Sequence, residues 1–285
     1  MVRLALCLIG HDRPHELREA IASADGRGFD EIVVLDMAST PPLEPSKGVR
    51  WMRSEVNLGV AAGRNRLAEA TSAECLVFLD DDAVILTDLA ERLRDRFEAE
   101  PDLAVVAFRV QRTEGALASL EYPFRGRSPR DDADVRPCTY FVGCGYAARS
   151  RALAEVGGYD EGLFYSTEEV DLGYRLMQEG WRLLYDPKIV VEHRPSSRGR
   201  AVAPRVPALR LRNRLLIVRR YLPAPIAVVH AAIWGIRTFG EARTAGGLRA
   251  WGGAWTEGLR QPVLRRPLPW RKLFEIHRLG GRVLW

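Results

Sequence analysis

Val77-Phe78-Leu79-Asp80-Asp81-Asp82 is an apolar run that ends in three adjacent carboxylates. Residues 75–79 have the composition of a buried strand, which puts the acids at its carboxyl end, where open α/β sheets place their ligands. Three neighbouring carboxylates repel one another unless something positive lies among them. A divalent cation is the simplest neutraliser, and oxygen ligands suit a hard ion such as Mg²⁺ or Mn²⁺ that also holds a diphosphate. The plainer alternative is a solvated acidic turn leading to a helix that starts at Thr87 and Asp88.

Upstream of this stretch the chain alternates strand and helix. Residues 2–9 are apolar, residues 14–24 carry Leu17, Ala20, Ile21 and Ala24 at helical spacing, and residues 32–35 form a second apolar run closed by Asp36. A third short strand is expected at residues 49–52. Such alternation predicts βαβ units and a largely parallel sheet. Residues 57–66 (Asn57-Leu58-Gly59-Val60-Ala61-Ala62-Gly63-Arg64-Asn65-Arg66) read as a glycine-containing turn running into a helix. Small residues at a helix start admit a phosphate or sugar to the backbone, and they equally serve close packing on a strand. The spacing is not that of the dinucleotide-binding glycine fingerprint.

Downstream, Leu89, Leu93 and Phe97 share a helix face and residues 103–110 read as a strand. The polar stretch 111–137 is a long loop expected to lie near an acceptor. Residues 140–146 read as a strand broken by Gly143 and Gly145, where a ligand could approach the backbone. A second acidic group follows at Glu168, Glu169 and Asp171. Ser166 and Glu169 have capping-box spacing, and Asp171 with Arg175 has the spacing of a helical ion pair worth about 0.3–0.5 kcal/mol. A carboxylate at a helix start beside a diphosphate is also well placed as a general base. Two short strands, 182–185 and 188–191, lead to His193, which is either structural or a ligand to metal or phosphate.

Charge divides the molecule. The net charge is +5, but residues 195–285 hold 18 Lys or Arg against Glu241, Glu257 and Glu275, whereas residues 1–194 hold 24 bases and 34 acids. The two parts are expected to meet different things. Cys7, Cys75, Cys138 and Cys144 have neither metal-finger nor redox spacing and fit a reducing cytoplasm. The amino terminus reads as a first strand and not as a signal peptide, and no apolar stretch is long enough to span a membrane.

With these pieces in order the chain resembles the family-2 inverting glycosyltransferases of the GT-A fold. The resemblance rests on His11-Asp12-Arg13-Pro14, on Asp36 with Ser39-Thr40, and on Asn57-x-Gly59-x-Ala61-x-Gly63-x-Asn65. It continues through Asp80-Asp81-Asp82, Gly143 with residues 156–161, Glu168-Glu169-Val170-Asp171-Leu172 with Arg175, and His193. It covers residues 2–200. The implied fold is α/β: a mostly parallel central sheet flanked by helices, residues 1–194, with a basic helical extension at 195–285.

The resemblance also implies roles. Asp36 would contact the donor's pyrimidine or ribose and Arg64 its base or phosphates, with Asp12, Arg13, Asn57 and Gly143 on the same donor side. Asp80 and Asp82 would be the metal-binding pair, Asp82 the more direct ligand, with Asp81 reaching ribose and His193 completing the metal or diphosphate site. Glu169 stands where the family carries its catalytic Asp, with Glu168 and Asp171 as competitors for the role of base. The implied reaction is a metal-dependent (Mn²⁺ or Mg²⁺) in-line displacement from a UDP- or dTDP-sugar. The hexosyl or deoxyhexosyl group would pass to the hydroxyl of a glycan, a lipid-linked saccharide or a small-molecule aglycone.

In the extension, residues 208–222 predict a helix with Leu211, Leu215, Val218 and Leu222 on one face and Arg210, Arg212 and Arg220 away from it. A second helix is expected at 226–239, after a linker at 195–200, and Trp251, Trp255, Trp270 and Trp285 lie among arginines. Basic amphipathic helices with tryptophan suit an anionic membrane surface on the inner face of the membrane; otherwise the apolar faces pack on the catalytic domain. No nucleic-acid reading motif is present, and no nucleic-acid partner is expected. A sugar-phosphate nucleotidyltransferase is disfavoured because no glycine-rich basic loop follows the first strand, and a first-strand Asp phosphatase because the triplet sits on a later strand. A non-catalytic sugar-nucleotide-binding or membrane-docking protein remains as the alternative, against which both acidic clusters argue.

Overall fold

Strand β1 (Leu4–Gly10) sends Leu4, Leu6 and Leu8 to one side and Ala5 and Cys7 to the other, and all are buried. Side chains alternate across a strand, so a strand apolar at every position needs cover on both faces. Strand β4 (Cys75–Asp80) repeats the pattern, with Cys75, Val77 and Leu79 in one core and Leu76 and Phe78 in the other. Removing each such leucine from water contributes about 1.5–3 kcal/mol. Helices α1 (Pro14–Ala22) and α3 (Ala90–Ala99) cover the first face through Leu17, Ile21, Leu93 and Phe97. Helices α2 (Val60–Glu69), α4 (Ser150–Glu155) and α5 (Glu168–Gln178) cover the second through Leu67, Leu153, Leu172 and Leu176. The computed structural model describes residues 1–113, 121–124, 133–196 and 205–281.

The remaining strands are β2 (Glu31–Met37), β3 (Arg50–Ser54), β5 (Ala83–Ile85), β6 (Leu103–Arg112), β7 (Arg136–Cys138), β8 (Gly145–Arg149) and β9 (Arg182–His193). They run in the order β3-β2-β1-β4-β8-β6-β9-β5, with β7 also on β9. The first four of this order are mutually parallel, as are β6 and β9, and β8 is inserted antiparallel between β4 and β6. The parallel carboxyl ends bring His11, Met37 and the Asp80–Asp82 triplet to one rim. Strand β5 adds the far partner: its antiparallel register sets Ala83 opposite His193, and Arg194 N donates to Asp82 O at 2.8 Å.

Three local expectations change. The strand foreseen at 140–146 begins only at Gly145, because residues 139–144 turn to bring Gly143 under α5. The two strands foreseen at 182–191 are one strand, β9, with an irregularity near Asp186 and Pro187, where proline lacks the donor a ladder needs. The Ser166–Glu169 capping box does not form: Ser166 and Thr167 have φ 71° and 74°, and Thr167 caps α5 without a side-chain bond. Most of the 111–137 loop, 114–120 and 125–132, lies outside the described residues, as do 197–200 of the linker and Trp285.

The extension forms α6 (Val206–Tyr221), α7 (Ala224–Thr244), α8 (Leu248–Arg260) and α9 (Trp270–Arg278). The apolar residues of α6 serve two cores: Leu211 and Leu215 pack towards Trp234, Trp251 and Trp255, while Val218 and Leu222 join the core beneath the catalytic sheet. Several of its arginines are paired with acids. Arg210 pairs with Glu241, Arg212 with Glu257, and Arg220 with Asp160 and Asp171. Among the described residues no helix is long and apolar enough to cross a membrane.

Candidate active site

A cavity of about 590 Å³ opens at the carboxyl rim, lined by His11, Arg13, Asn57, Gly59, the three aspartates and His193, with Phe164, Arg205 and Leu209 opposite. The three carboxylates have separate surroundings. Asp81 accepts from Arg13 at 2.5 Å and from His11 N at 3.3 Å. Asp82 is held by Arg13 at 3.0 Å, His193 Nε2 at 3.2 Å and Ser196 N at 3.1 Å. Asp80 alone of the three has an open face: 40% of its side chain is accessible, against 8% and 3% for Asp81 and Asp82.

Their protonation follows. Burial pushes Asp81 up to about 7 against the pull of Arg13, and burial within the cavity wall raises Asp80 to about 6 despite its open face, with Arg64 opposing. Burial would also raise Asp82, but the His193 hydrogen bond and Arg13 outweigh it and hold the group below the ordinary range. Burial would lower His193, yet its bonds to Asp82 and to Glu121, the latter at 2.6 Å from Nδ1, raise it to about 9. Asp80 and Asp81 therefore take up protons more readily than free carboxylates, and a bound cation would compete with those protons. Asp80, Cys144 and His193 offer ligand atoms within 4.8 Å of one another; burial holds the Cys144 thiol well above its usual range, and His193 would have to give up a proton to ligate, so Asp80 is the donor of this group that suits a hard cation.

On the other side of Asp80 lies Arg64, buried in α2. Its guanidinium donates to Glu168 at 3.1 Å, Glu169 at 3.3 Å and Gly143 O at 2.9 Å, and stands 3.6 Å from Asp80. The rings of Tyr146 and Tyr159 lie 5.5 and 5.6 Å beneath it, an aromatic floor suited to a buried cation. A Cβ at Gly143 would overlap Glu169 Oε1 and Arg64, so any larger residue there must push one of these side-chain ends aside. Burial and the adjacent Glu169 carboxylate drive Glu168 well above the usual carboxylate range, with Arg64 opposing. Its Oε2 has no hydrogen-bond partner among the described residues. Burial makes Glu168 the slower of the two to part with a proton, and Glu169 presents more surface, 11% of its side chain against 3%.

Asp171 is placed otherwise. It is fully enclosed and is bound by Arg175 at 2.8 Å, Arg220 at 2.5 Å and the Tyr221 hydroxyl at 2.8 Å. These contacts tie α5 to α6 and leave no route to a substrate. Asp36 is likewise turned inward, accepting from Ser39 N at 3.0 Å, Leu43 N at 3.1 Å and Arg53, and Asp12 accepts from Thr40 N at 2.8 Å. Both shape the loop after β2. Asn57 bonds Gly59 N at 2.9 Å and so forms the turn into α2, while Gly59, at φ 81°, receives the Phe164 ring so closely that a Cβ would overlap it.

The fold therefore gathers Arg13, Asn57, Asp80, Asp81, Asp82 and His193 around one cavity, and sets Arg64, Gly143, Glu168 and Glu169 behind Asp80. It places Asp12, Asp36 and Asp171 in supporting positions. Cys144, Glu121 and Arg205 were not foreseen, and isolated residues in an apolar run, a loop and a helix start carry no sequence signal of a site.

The family described as Glycosyl transferase family 2 matches residues 7–157, more than half of the chain. A pre-mycofactocin glycosyltransferase of Mycobacterium tuberculosis is 30% identical over 196 residues, 62% of this chain and 39% of that protein. An N-acetylglucosaminyl-diphospho-decaprenol L-rhamnosyltransferase of the same organism is 34% identical over 103 residues, 33% of this chain and 34% of that protein. The chain thus spans about two-fifths of the first of these and a third of the second. Among solved structures, GalNAc-T7 with UDP, GalNAc and Mn²⁺ superposes with a TM-score of 0.62 at 17% identity, over 78% of this chain and 48% of that one. Staphylococcus aureus TarS, residues 1–349, gives 0.58 at 14% identity, over 90% and 80%. These likenesses establish the GT-A fold, and the family match shows that the chain belongs to Glycosyl transferase family 2.

Proposed function

We propose that the chain transfers a sugar from a nucleoside diphosphate, UDP or dTDP, to an acceptor hydroxyl with inversion, using a divalent cation and Glu169 as general base. The observation that carries this reading is the bridge made by Arg64 between Asp80, at the cavity, and the Glu168–Glu169 pair behind it. Asp80, with His193 beside it once that ring has released a proton, would hold Mn²⁺ or Mg²⁺, which would offset charge on the departing diphosphate. Arg13 orients Asp81 and Asp82 and limits their repulsion. Glu169 accepts the acceptor's proton: it presents more surface than Glu168, whose burial favours the protonated form. Arg64 keeps the two acids in place and steadies the charge on Glu169 between turnovers. Asn57 and Gly59 form the wall towards the donor; Arg205 and Leu209 face them from the extension.

The test is a screen of UDP-, dTDP- and GDP-sugars with Mn²⁺ or Mg²⁺, reading nucleoside diphosphate release. Metal-dependent turnover of one donor, lost in D80A and E169Q while E169Q still binds that donor, is the expected result. Binding without turnover under any condition would leave only the sugar-nucleotide-binding alternative.

A peripheral membrane role for the extension has its own support. The buried side of α7 carries His230, Gly235, Thr238 and Ala242, and its outer side exposes Val228, Val229, Ile236 and Phe239. Trp270 and Phe274 of α9 are exposed as well, in a region with 18 basic residues and three acids. An anionic bilayer matches both the apolar stripe and the charge. Co-sedimentation with phosphatidylglycerol vesicles, weakened by salt and by V228S/I236S/F239S, is expected; equal recovery with and without vesicles removes this role.

A further inference from the structure

Helix α6 buries Asn213 completely. Its side-chain nitrogen donates to the carbonyls of Leu163, Tyr165 and Ser166 at 3.2, 2.9 and 2.8 Å. An amide nitrogen carries two hydrogens, so the three acceptors share them. The other end of the amide is oriented too, since Oδ1 accepts from Arg212 at 2.9 Å, and Arg212 also donates to Gly162 O at 2.7 Å. One buried side chain and its neighbour thus collect four carbonyls from the segment that leads into α5.

That segment has an uncommon backbone. Ser166 and Thr167 both adopt left-handed φ values, 71° and 74°, which residues with a Cβ hold only when their surroundings enforce it. Between the anchored carbonyls, Phe164 O accepts from Val60 N at 2.8 Å and the Phe164 ring lies on Gly59, forming part of the cavity wall. Glu168 and Glu169 follow directly. We infer that Asn213 is a positioning residue: it holds residues 163–167 in the strained form that delivers Glu168 and Glu169 to Arg64. The catalytic consequence rests on the transferase reading above; the anchoring does not. Arg220 and Tyr221, further along α6, make a second tie to the same helix through Asp171. Helix α6 is on this account part of the catalytic unit and not an appendage to it.

The experiment compares the full chain with N213A and N213D. Hydrogen exchange of amides 163–170, read by mass spectrometry without substrate, is expected to quicken at least about tenfold in N213A, while the thermal midpoint and the protection of β1 and β4 stay near those of the parent. With Mn²⁺ and a donor that the parent turns over, kcat falls by about tenfold or more and KM stays within about threefold, the split expected when a group acts after binding. Asp is the isostere of Asn. A space-filling role therefore predicts parental behaviour for N213D, whereas loss of the donors sets a carboxylate against three carbonyls and impairs it at least as much as N213A. Unchanged exchange in folded N213A, or parental kcat in N213D, overturns the inference. If N213D does not fold, N213A decides. A parent that turns over no donor defeats the transferase reading separately, and the exchange data still decide whether Asn213 holds the segment.

Discussion

Arg64 Nη1 stands 3.3 Å from Glu169 Oε1, and the same guanidinium reaches to within 3.6 Å of Asp80 on the cavity side. One buried cation therefore joins two acidic groups that lie far apart in the chain. Removing it leaves buried carboxylates without a counter-charge. R64A is expected to lose about 3–5 kcal/mol of stability, measured by urea unfolding, because an uncompensated buried charge costs that much. R64K keeps the charge but not the planar fork, and should retain more stability than R64A while losing turnover. Equal stability of R64A and the parent would show that the acids are not held as described.

Glu168 and Glu169 are chemically alike and environmentally different. Burial favours the protonated form of Glu168, which the amide of E168Q resembles. This variant should reduce turnover only a few-fold, whereas E169Q removes the base and should lower kcat by about 10²–10⁴-fold. Steady-state kinetics on both variants checks the asymmetry; the reverse order would transfer the base to Glu168.

Cation binding should strengthen as pH rises. Asp80 and Asp81 are raised to about 6 and 7, so their contribution to the stability of the metal-free protein is present below about 4 and lost as pH rises through those values. His193, raised to about 9, contributes below about 6.5 and loses that contribution as pH passes 9. A cation competes with the bound protons, and its stabilising effect is therefore smallest in acid. The shift in thermal midpoint on adding Mn²⁺ is expected to grow between pH 5.5 and 8 and to disappear in D80N at every pH. A pH-independent shift would place the cation elsewhere.

Gly143 leaves the space that Glu169 and Arg64 occupy. G143A forces one of them aside, and overpacking of this kind costs about 1–3 kcal/mol. Turnover should fall further than stability, since the displaced group is the base or its partner. Parallel thermal and kinetic measurements separate the two effects.

Tyr221 donates to the fully buried Asp171 at 2.8 Å. Y221F removes one hydrogen bond to a charged group, about 1.5–3 kcal/mol, and should lower the unfolding free energy by that amount without changing donor affinity. A neutral effect would mean that Arg175 and Arg220 satisfy Asp171 by themselves.

The amino-acid order was sufficient for the alternation of strands and helices, the acidic rim at Asp80–Asp82, the second acidic group and the charge division at residue 195, because periodicity, strand-end acids and composition are local properties. It could not assign roles within each acidic group. Whether Asp80 or Asp82 keeps an open face depends on Arg13 and His193 arriving from the start of α1 and the end of β9. Whether Glu168, Glu169 or Asp171 is free to act depends on Arg64 from α2 and on Arg220 and Tyr221 from α6. Asn213 was invisible for the same reason: its acceptors are backbone carbonyls some 50 residues away, and any chain has carbonyls. Composition sets which chemistries are available, and burial with long-range pairing selects the carboxylate that carries them out, since charge and dielectric at a point are sums over the whole fold.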